Sequence, residues 1–155
     1  MVNNIKWDER FLELASTVST WSKDPSTKVG SVITDDNRRI ISVGYNGFPK
    51  GVRDFEHRLN DREVKYKFMV HAERNAIIFA NTSLQDAIMY TYPFMPCCEC
   101  AGIIIQSGIK KVVTFWDDTP RWQESFKYSR KMFGEAGIDL LEYNKNIFLK
   151  VEGNF

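Results

Sequence analysis

Two fragments of the sequence carry side chains able to hold a metal and move a proton: His71-Ala72-Glu73 and Pro96-Cys97-Cys98-Glu99-Cys100. Cys97 and Cys100 are three residues apart, so in a first helical turn their sulfurs lie on one face. The dipole and free N–H groups of a helix N-terminus favour thiolates there. A neutral imidazole from His71 completes a three-ligand set suited to Zn²⁺. Three protein ligands leave one tetrahedral position open, the mark of a catalytic rather than a structural zinc. Glu73, two residues after one ligand, can stand beside that position without filling it. Zinc lowers the pKa of a bound water to roughly 7, and a carboxylate alongside can take its proton and return it elsewhere.

Each fragment alone has a plainer reading. A lone His is more often structural, and a lone C-x-x-C is as readily a redox pair or half of a closed zinc site. The conjunction decides for catalysis, because a dithiol redox pair leaves His71-x-Glu73 without a role. Cys98 points about 100° away from its neighbours on a helix and reads as a bystander.

The two fragments need elements to position them. Trp7, Phe11, Leu14, Ala15, Val18 and Trp21 form one apolar helical stripe, ended by Asp24-Pro25-Ser26. Residues 29–34 and 39–45 are β-branched runs joined by the turn signal Asp35-Asp36-Asn37, a predicted hairpin. Gly44-Tyr45-Asn46-Gly47-Phe48-Pro49 then opens a loop that runs through a charged stretch to about residue 68. Helices follow over 71–80, 97–107 and 124–136, the last two closed by Gly108 and Gly137; strands follow over 87–92, 111–115 and 138–143. That order predicts an α/β fold with a single mixed sheet and helices on both faces. The tail from Asn144, with Ile147, Phe148, Leu149 and Val151, is either one more strand or a segment that docks elsewhere. No repeat or linker divides the 155 residues, so one domain is expected over 1–155.

Composition narrows the function classes. With 43% hydrophobic and 26% charged residues the chain has apolar surface enough to fold, which excludes disorder as the default. Its 21 basic and 20 acidic residues give a net charge of +1, which argues against a protein built to grip long nucleic acid. The aromatic share of 14% leaves rings to line a pocket or a subunit contact. No apolar run is long enough to span a bilayer, and the N-terminal residues do not read as a secretory signal. Three cysteines within four positions are no disulfide framework, so a reducing, cytoplasmic setting is expected.

With these residues in view, the sequence resembles the deoxycytidylate (dCMP) deaminase family, zinc-dependent hydrolases of the cytidine deaminase-like fold, whose signature is H-x-E followed by P-C-x-x-C. Lys28-Val29-Gly30, Gly44-Tyr45-Asn46-Gly47, the run from His71 to Ile77, Pro96 to Ala101 and Ile104 to Ile109 carry the resemblance, which spans about Trp7 to Tyr143. It implies a three-layer α/β/α arrangement around a five-stranded mixed sheet and hydrolysis of dCMP to dUMP, the precursor for thymidylate. It implies zinc on His71, Cys97 and Cys100, with Glu73 as proton shuttle. It places Asn46, Ser26, Lys28 and Ala72 at the substrate, with Lys28 and Ser26 near the phosphate. The plainer alternatives are a left-handed turn at Asn46 and a solvated strand entrance at Lys28.

The family also implies a homohexamer activated by dCTP and inhibited by dTTP, with Mg²⁺ on their phosphates, near Gly44, Tyr45, Gly47 and Lys50. Phe79 reads as a subunit contact or as core. The segment Thr91-Tyr92-Pro93-Phe94-Met95 departs from the family pattern in length and composition, which leaves dCTP or a 5-substituted dCMP as alternative substrates. Cys98 and His57 are the spare ligands, too few for a second structural zinc. A polynucleotide deaminase would use the same zinc chemistry with a basic track, for which Arg58, Arg62, Lys65, Lys67, Lys127, Arg130 and Lys131 are candidates. Interleaved Glu56, Asp61, Glu63 and Glu124 favour a solvated mixed-charge surface instead. A zinc-stabilised module without catalysis is the third reading, and it leaves Glu73 without a role.

Overall fold

Val32, Tyr90 and Val113 feed a core on one face of the sheet, and their chain neighbours Ile33, Met89 and Val112 feed another on the opposite face. This alternation belongs to β1 (Gly30–Thr34), β3 (Ile88–Tyr92) and β4 (Lys111–Phe115), the three central strands of a five-stranded sheet. β2 (Ile40–Tyr45) and β5 (Asp139–Tyr143) form the edges, giving the order β2-β1-β3-β4-β5. β1 pairs antiparallel with both β2 and β3, whereas β3, β4 and β5 run parallel. The computed structural model describes residues 4–146, and the segment with Ile147, Phe148, Leu149 and Val151 lies outside them.

One face is covered by α1 (Ile5–Ser19), whose Phe11, Leu12 and Ala15 pack on Val32, Tyr90 and Val113. Here two phenols share one carboxylate: Tyr90 and Tyr143 donate to the two oxygens of buried Asp8 at 3.2 and 2.7 Å. The opposite face carries α4 (Ala72–Ala80), α5 (Cys98–Gln106) and α6 (Gln123–Ala136), with Ala76, Ile104, Phe126 and Phe133 in its core. The three-layer α/β/α arrangement expected from the sequence is therefore present. Gly108 and Gly137 follow α5 and α6 with φ of 93° and 77°, where a side chain would be strained.

Two differences follow from packing. Trp21 lies beyond the end of α1, exposed and edge-on to Tyr45 at 6.1 Å, so the helical stripe stops at Val18. The expected loop up to residue 68 contains two short helices, α2 (Glu56–Leu59) and α3 (Arg62–Phe68). The Asp61 carboxylate accepts from the N–H groups of Glu63 and Val64 and so starts α3. No helix among the described residues is long and apolar enough to cross a membrane.

Candidate active site

His71 and Cys97 stand at equivalent places, each the residue before the first turn of a helix. His71 caps α4 with φ −67° and ψ 152°, and Cys97 caps α5 with φ −67° and ψ 166°. With extended backbone at both positions, the two side chains meet, Cys97 Sγ lying 3.5 Å from His71 Nδ1. Both helix N-termini thus border the same point.

Local bonding holds each start. Val70 exchanges two backbone hydrogen bonds with Gly47, at 2.8 and 3.1 Å, immediately before His71. Asn75 donates from Nδ2 to the Tyr45 carbonyl at 2.8 Å. α4 lies so close to β2 that a Cβ on Gly44 would meet the Ala72 carbonyl and the Ala76 nitrogen, so this position admits no side chain. On the other side, Ser125 Oγ accepts from the Cys98 N–H at 2.9 Å and Ser129 Oγ donates to the Pro96 carbonyl at 2.8 Å. These two serines of α6 fix the entry to α5.

His71 Nδ1 lies 3.5 Å from Cys97 Sγ and 3.2 Å from Cys100 Sγ, and the three donor atoms all fall within 4.8 Å of one another. A tetrahedral zinc with bonds of about 2.05 Å to nitrogen and about 2.3 Å to sulfur sets nitrogen and sulfur about 3.6 Å apart. The donors therefore fit zinc in both type and spacing. Cys100 is fully buried, Cys97 and His71 are half-buried, and Glu73 is 4% exposed.

Without a cation the cluster shares its protons unevenly. The Cys97 thiol is pulled down to about 4, first by its hydrogen bond with Cys100 and then, against the cost of burial, by His71. Cys100 is pushed up, first by that same bond and then by burial. The Cys97 bond raises His71, with burial opposing it. Burial raises Glu73 first, and the nearby Cys97 adds to it. For Arg74 burial works downward, yet Cys100, Cys97 and Glu99 together leave it raised. A divalent cation reverses this logic at the sulfurs, because both must lose their protons to bind it.

The cluster opens onto a cavity of about 690 Å³ whose lining includes His71, Ala72, Glu73, Cys97 and Cys98. An aromatic wall adjoins them: Phe94 meets Trp122 and Phe126 with ring centroids 5.5 Å away in each case. Met95, the other large residue of that connection, is buried in the core instead. The rest of the lining mixes charged and polar residues, among them Asp24, Ser26, Asn46, Arg62, Lys65, Glu99 and Arg121, with the apolar Val29, Leu59 and Met69. Lys65 Nζ donates to Asp24 Oδ1 at 3.0 Å and to Ser26 Oγ at 3.2 Å. Arg121 lies over the Trp122 ring at 4.4 Å and reaches Thr27 Oγ1 at 3.4 Å.

The sequence-predicted residues divide. His71, Ala72, Glu73, Cys97, Ser26 and Asn46 line the cavity, and Cys100 sits buried against His71. Asn46 is absent from the non-glycine residues with positive φ, so the left-handed turn is not its reason. Its Oδ1 accepts from the Val29 N–H at 2.9 Å and its Nδ2 donates to the Thr27 carbonyl at 2.9 Å, which shapes the loop before β1. Lys28 is exposed and outside the lining. Gly44, Tyr45, Gly47 and Lys50 also lie outside it; Lys50 Nζ stands 4.7 Å from the Phe79 ring, and Phe79 is 47% exposed rather than core.

Lys65, Arg62 and Arg121 are lining cations that the sequence offered only as a surface track or not at all. The signal for the first two was the Asp61 cap ahead of Glu63, which marks a helix start in the charged stretch.

Comparison with known proteins agrees with this site. The family model for the cytidine and deoxycytidylate deaminase zinc-binding region matches residues 5–116. An uncharacterized deaminase of Aliivibrio fischeri is 46% identical over 138 residues, covering 87% of this chain and 92% of that protein. Human deoxycytidylate deaminase is 35% identical over 145 residues, covering 90% of this chain and 80% of that protein. In fold, the dCMP deaminase of cyanophage S-TIM5, solved in complex with dCMP and dUMP, superposes with a TM-score of 0.70 at 23% identity, over 92% of this chain and 98% of that one. Together with a His-Cys-Cys donor set and a buried carboxylate beside it, these matches establish that the chain belongs to the cytidine and deoxycytidylate deaminase family of zinc-binding hydrolases and is a deaminase.

Proposed function

We propose that this protein hydrolyses dCMP to dUMP and ammonia through a single deaminase domain over residues 1–155. The observation that carries the reading is Glu73, shut from solvent beside the three donors and lining the same cavity as Ser26, Arg62 and Arg121. A cationic, hydroxyl-bearing group of this kind suits a dianionic monophosphate. Phe94, Trp122 and Phe126 offer flat faces for a pyrimidine. The deoxycytidylate deaminases among its relatives support the same substrate.

His71, Cys97 and Cys100 would hold the zinc, whose contribution is water made acidic near neutral pH. Glu73 then does the proton work. Its carboxylate accepts a proton from the nucleophilic water and delivers it to ring N3, so that oxygen can bond to C4. A second proton passes through the same carboxylate to the 4-amino group, the C4–N bond breaks, and ammonia leaves. Burial, which holds the Glu73 pKa above its ordinary value, suits a group that must both take and return a proton.

A panel of dCMP, dCTP, deoxycytidine, 5-methyl-dCMP and oligonucleotides tests the substrate. Turnover of dCMP ahead of the others is the expected result; preference for an oligonucleotide would replace the reading with a polynucleotide deaminase, and preference for dCTP or 5-methyl-dCMP would move the specificity. The reading extends to a cytoplasmic homohexamer activated by dCTP and inhibited by dTTP with Mg²⁺. The family resemblance supports it, as do Ile78, Phe79 and Ile103, apolar side chains left exposed on α4 and α5. Light scattering and titration of dCTP and dTTP with Mg²⁺ into the dCMP assay test that part.

A further inference from the structure

We propose that Ser125 and Ser129 of α6 are positioning residues for Cys97, holding the peptide groups on either side of it and so setting how tightly the centre grips zinc. The inference rests on the reading of His71, Cys97 and Cys100 as zinc ligands and adds two residues from a third helix. Ser129 Oγ donates to the Pro96 carbonyl at 2.8 Å, in the peptide group before Cys97. Ser125 Oγ accepts from the Cys98 N–H at 2.9 Å, in the peptide group after it. The serines are four apart on α6, so one helical face presents both hydroxyls to the same residue. With both neighbouring peptide groups held, neither backbone angle of Cys97 is free to turn.

Two features separate the pair from ordinary contacts between helices. A residue in the capping position usually offers its own side-chain oxygen to the first N–H groups of its helix. Cys97 makes no such bond, and its sulfur lies beside His71 Nδ1 at 3.5 Å. Ser125 supplies from α6 the partner that this sulfur does not. In addition, Ser129 is fully buried on a helix whose other buried residues are Phe126 and Phe133. A hydroxyl in such a place costs stability unless it is bonded, and its bond goes to the carbonyl that precedes a metal ligand.

The same stretch of α6 carries the aromatic wall. Phe126 follows Ser125 directly and meets Phe94 with ring centroids 5.5 Å apart. Ser125, Phe126 and Cys97 all line the one cavity. One helix thus fixes both the wall of the ring pocket and the backbone of a ligand, which keeps ring and metal in register.

The test compares Ser125→Ala, Ser129→Ala, Ser125→Thr and Ser107→Ala with the unaltered protein in zinc competition against a coloured chelator. A second readout is the sulfur-to-metal charge-transfer band of the Co²⁺-substituted protein. Ser125→Ala and Ser129→Ala should each bind zinc about 10-fold more weakly and shift the band. Ser125→Thr keeps a hydroxyl and should recover most of the affinity. Ser107 Oγ donates to the Ile104 carbonyl at 2.6 Å at the far end of α5. Ser107→Ala therefore loses a bond of the same kind in the same helix and should leave affinity and band unchanged. Unaltered affinity and band in both alanine variants of α6 would overturn the proposal while leaving the zinc reading intact. So would a loss in Ser107→Ala equal to theirs, because zinc binding would then follow the stability of α5 as a whole. Failure of the unaltered protein to take up either metal would overturn the zinc reading and this inference with it.

Discussion

The Nζ of Lys65 on α3 stands 3.0 Å from Oδ1 of Asp24 in the loop before β1, and both side chains are sealed from water. The same Asp24 oxygen accepts from the N–H groups of Ser26 and Thr27 at 2.8 and 3.2 Å. A short helix with little apolar surface is thereby fastened to the cavity wall through one buried ion pair.

Removing one partner strands the other. Lys65→Met should cost about 3–5 kcal/mol of folding stability by leaving the Asp24 carboxylate buried without its cation. Lys65→Met combined with Asp24→Asn should recover most of that loss. Urea unfolding of the two variants and the unaltered protein checks the order, which would be reversed if Asp24 were well solvated.

Glu73→Gln should keep zinc and lower kcat about 10²- to 10⁴-fold, the usual weight of a lost general acid–base. It should also change the pH dependence of stability in the metal-free protein. Burial raises Glu73 above its ordinary 4.5, so between 4.5 and the raised value the folded chain keeps a proton that the unfolded chain releases. The stability tied to that proton is fully present below about 4.5 and is lost as pH rises through the folded value. Glu73→Gln should therefore be the more stable of the two metal-free proteins at pH 7. The two should converge at acid pH. Thermal melts across pH measure it.

Cys100→Ala should lose metal and activity together, and a chelator should lower the unfolding temperature of the unaltered protein. Acid should release zinc early. Because Cys97 raises His71 above 6.5, protons begin to compete for its Nδ1 above that pH as the solution is acidified. Zinc content after dialysis at a series of pH values tests this, and retention down to pH 5 would contradict it.

The lining cations make a separable prediction. Arg121→Ala should raise KM for dCMP about 10-fold, the worth of one charge-assisted hydrogen bond, and leave KM for deoxycytidine nearly unchanged. Lys28→Ala, at an exposed position off the cavity, should have the smaller effect on dCMP. Equal rises for nucleotide and nucleoside would remove Arg121 from the phosphate end.

What the sequence displayed depended on where burial has a period. β4 matches its expected span of 111–115, and α4 and α5 begin one residue later than expected, because His71 and Cys97 cap their helices instead of joining them. These elements bury apolar faces, and spacing reveals such faces. α3 escaped because its single fully buried residue is Lys65, a lysine that a pattern of apolar positions counts as surface. For the same reason the chemistry of the metal end was legible in residue types, and the cationic end was not. Lys65 and Arg121 come from distant parts of the chain and join Ser26, which the resemblance does place near the phosphate, only through the fold.

Because His71 and Cys97 cap their helices and Cys100 lies in the first turn of α5, none of the three candidate donors depends on the later turns. Fraying at the Asn81 end of α4 or the Ser107 end of α5 starts two or more turns away and leaves both helix starts in place. Loosening with temperature should accordingly reach the far ends first and the grip on the ion last, and slow amide exchange at the openings of α4 and α5 would be its trace.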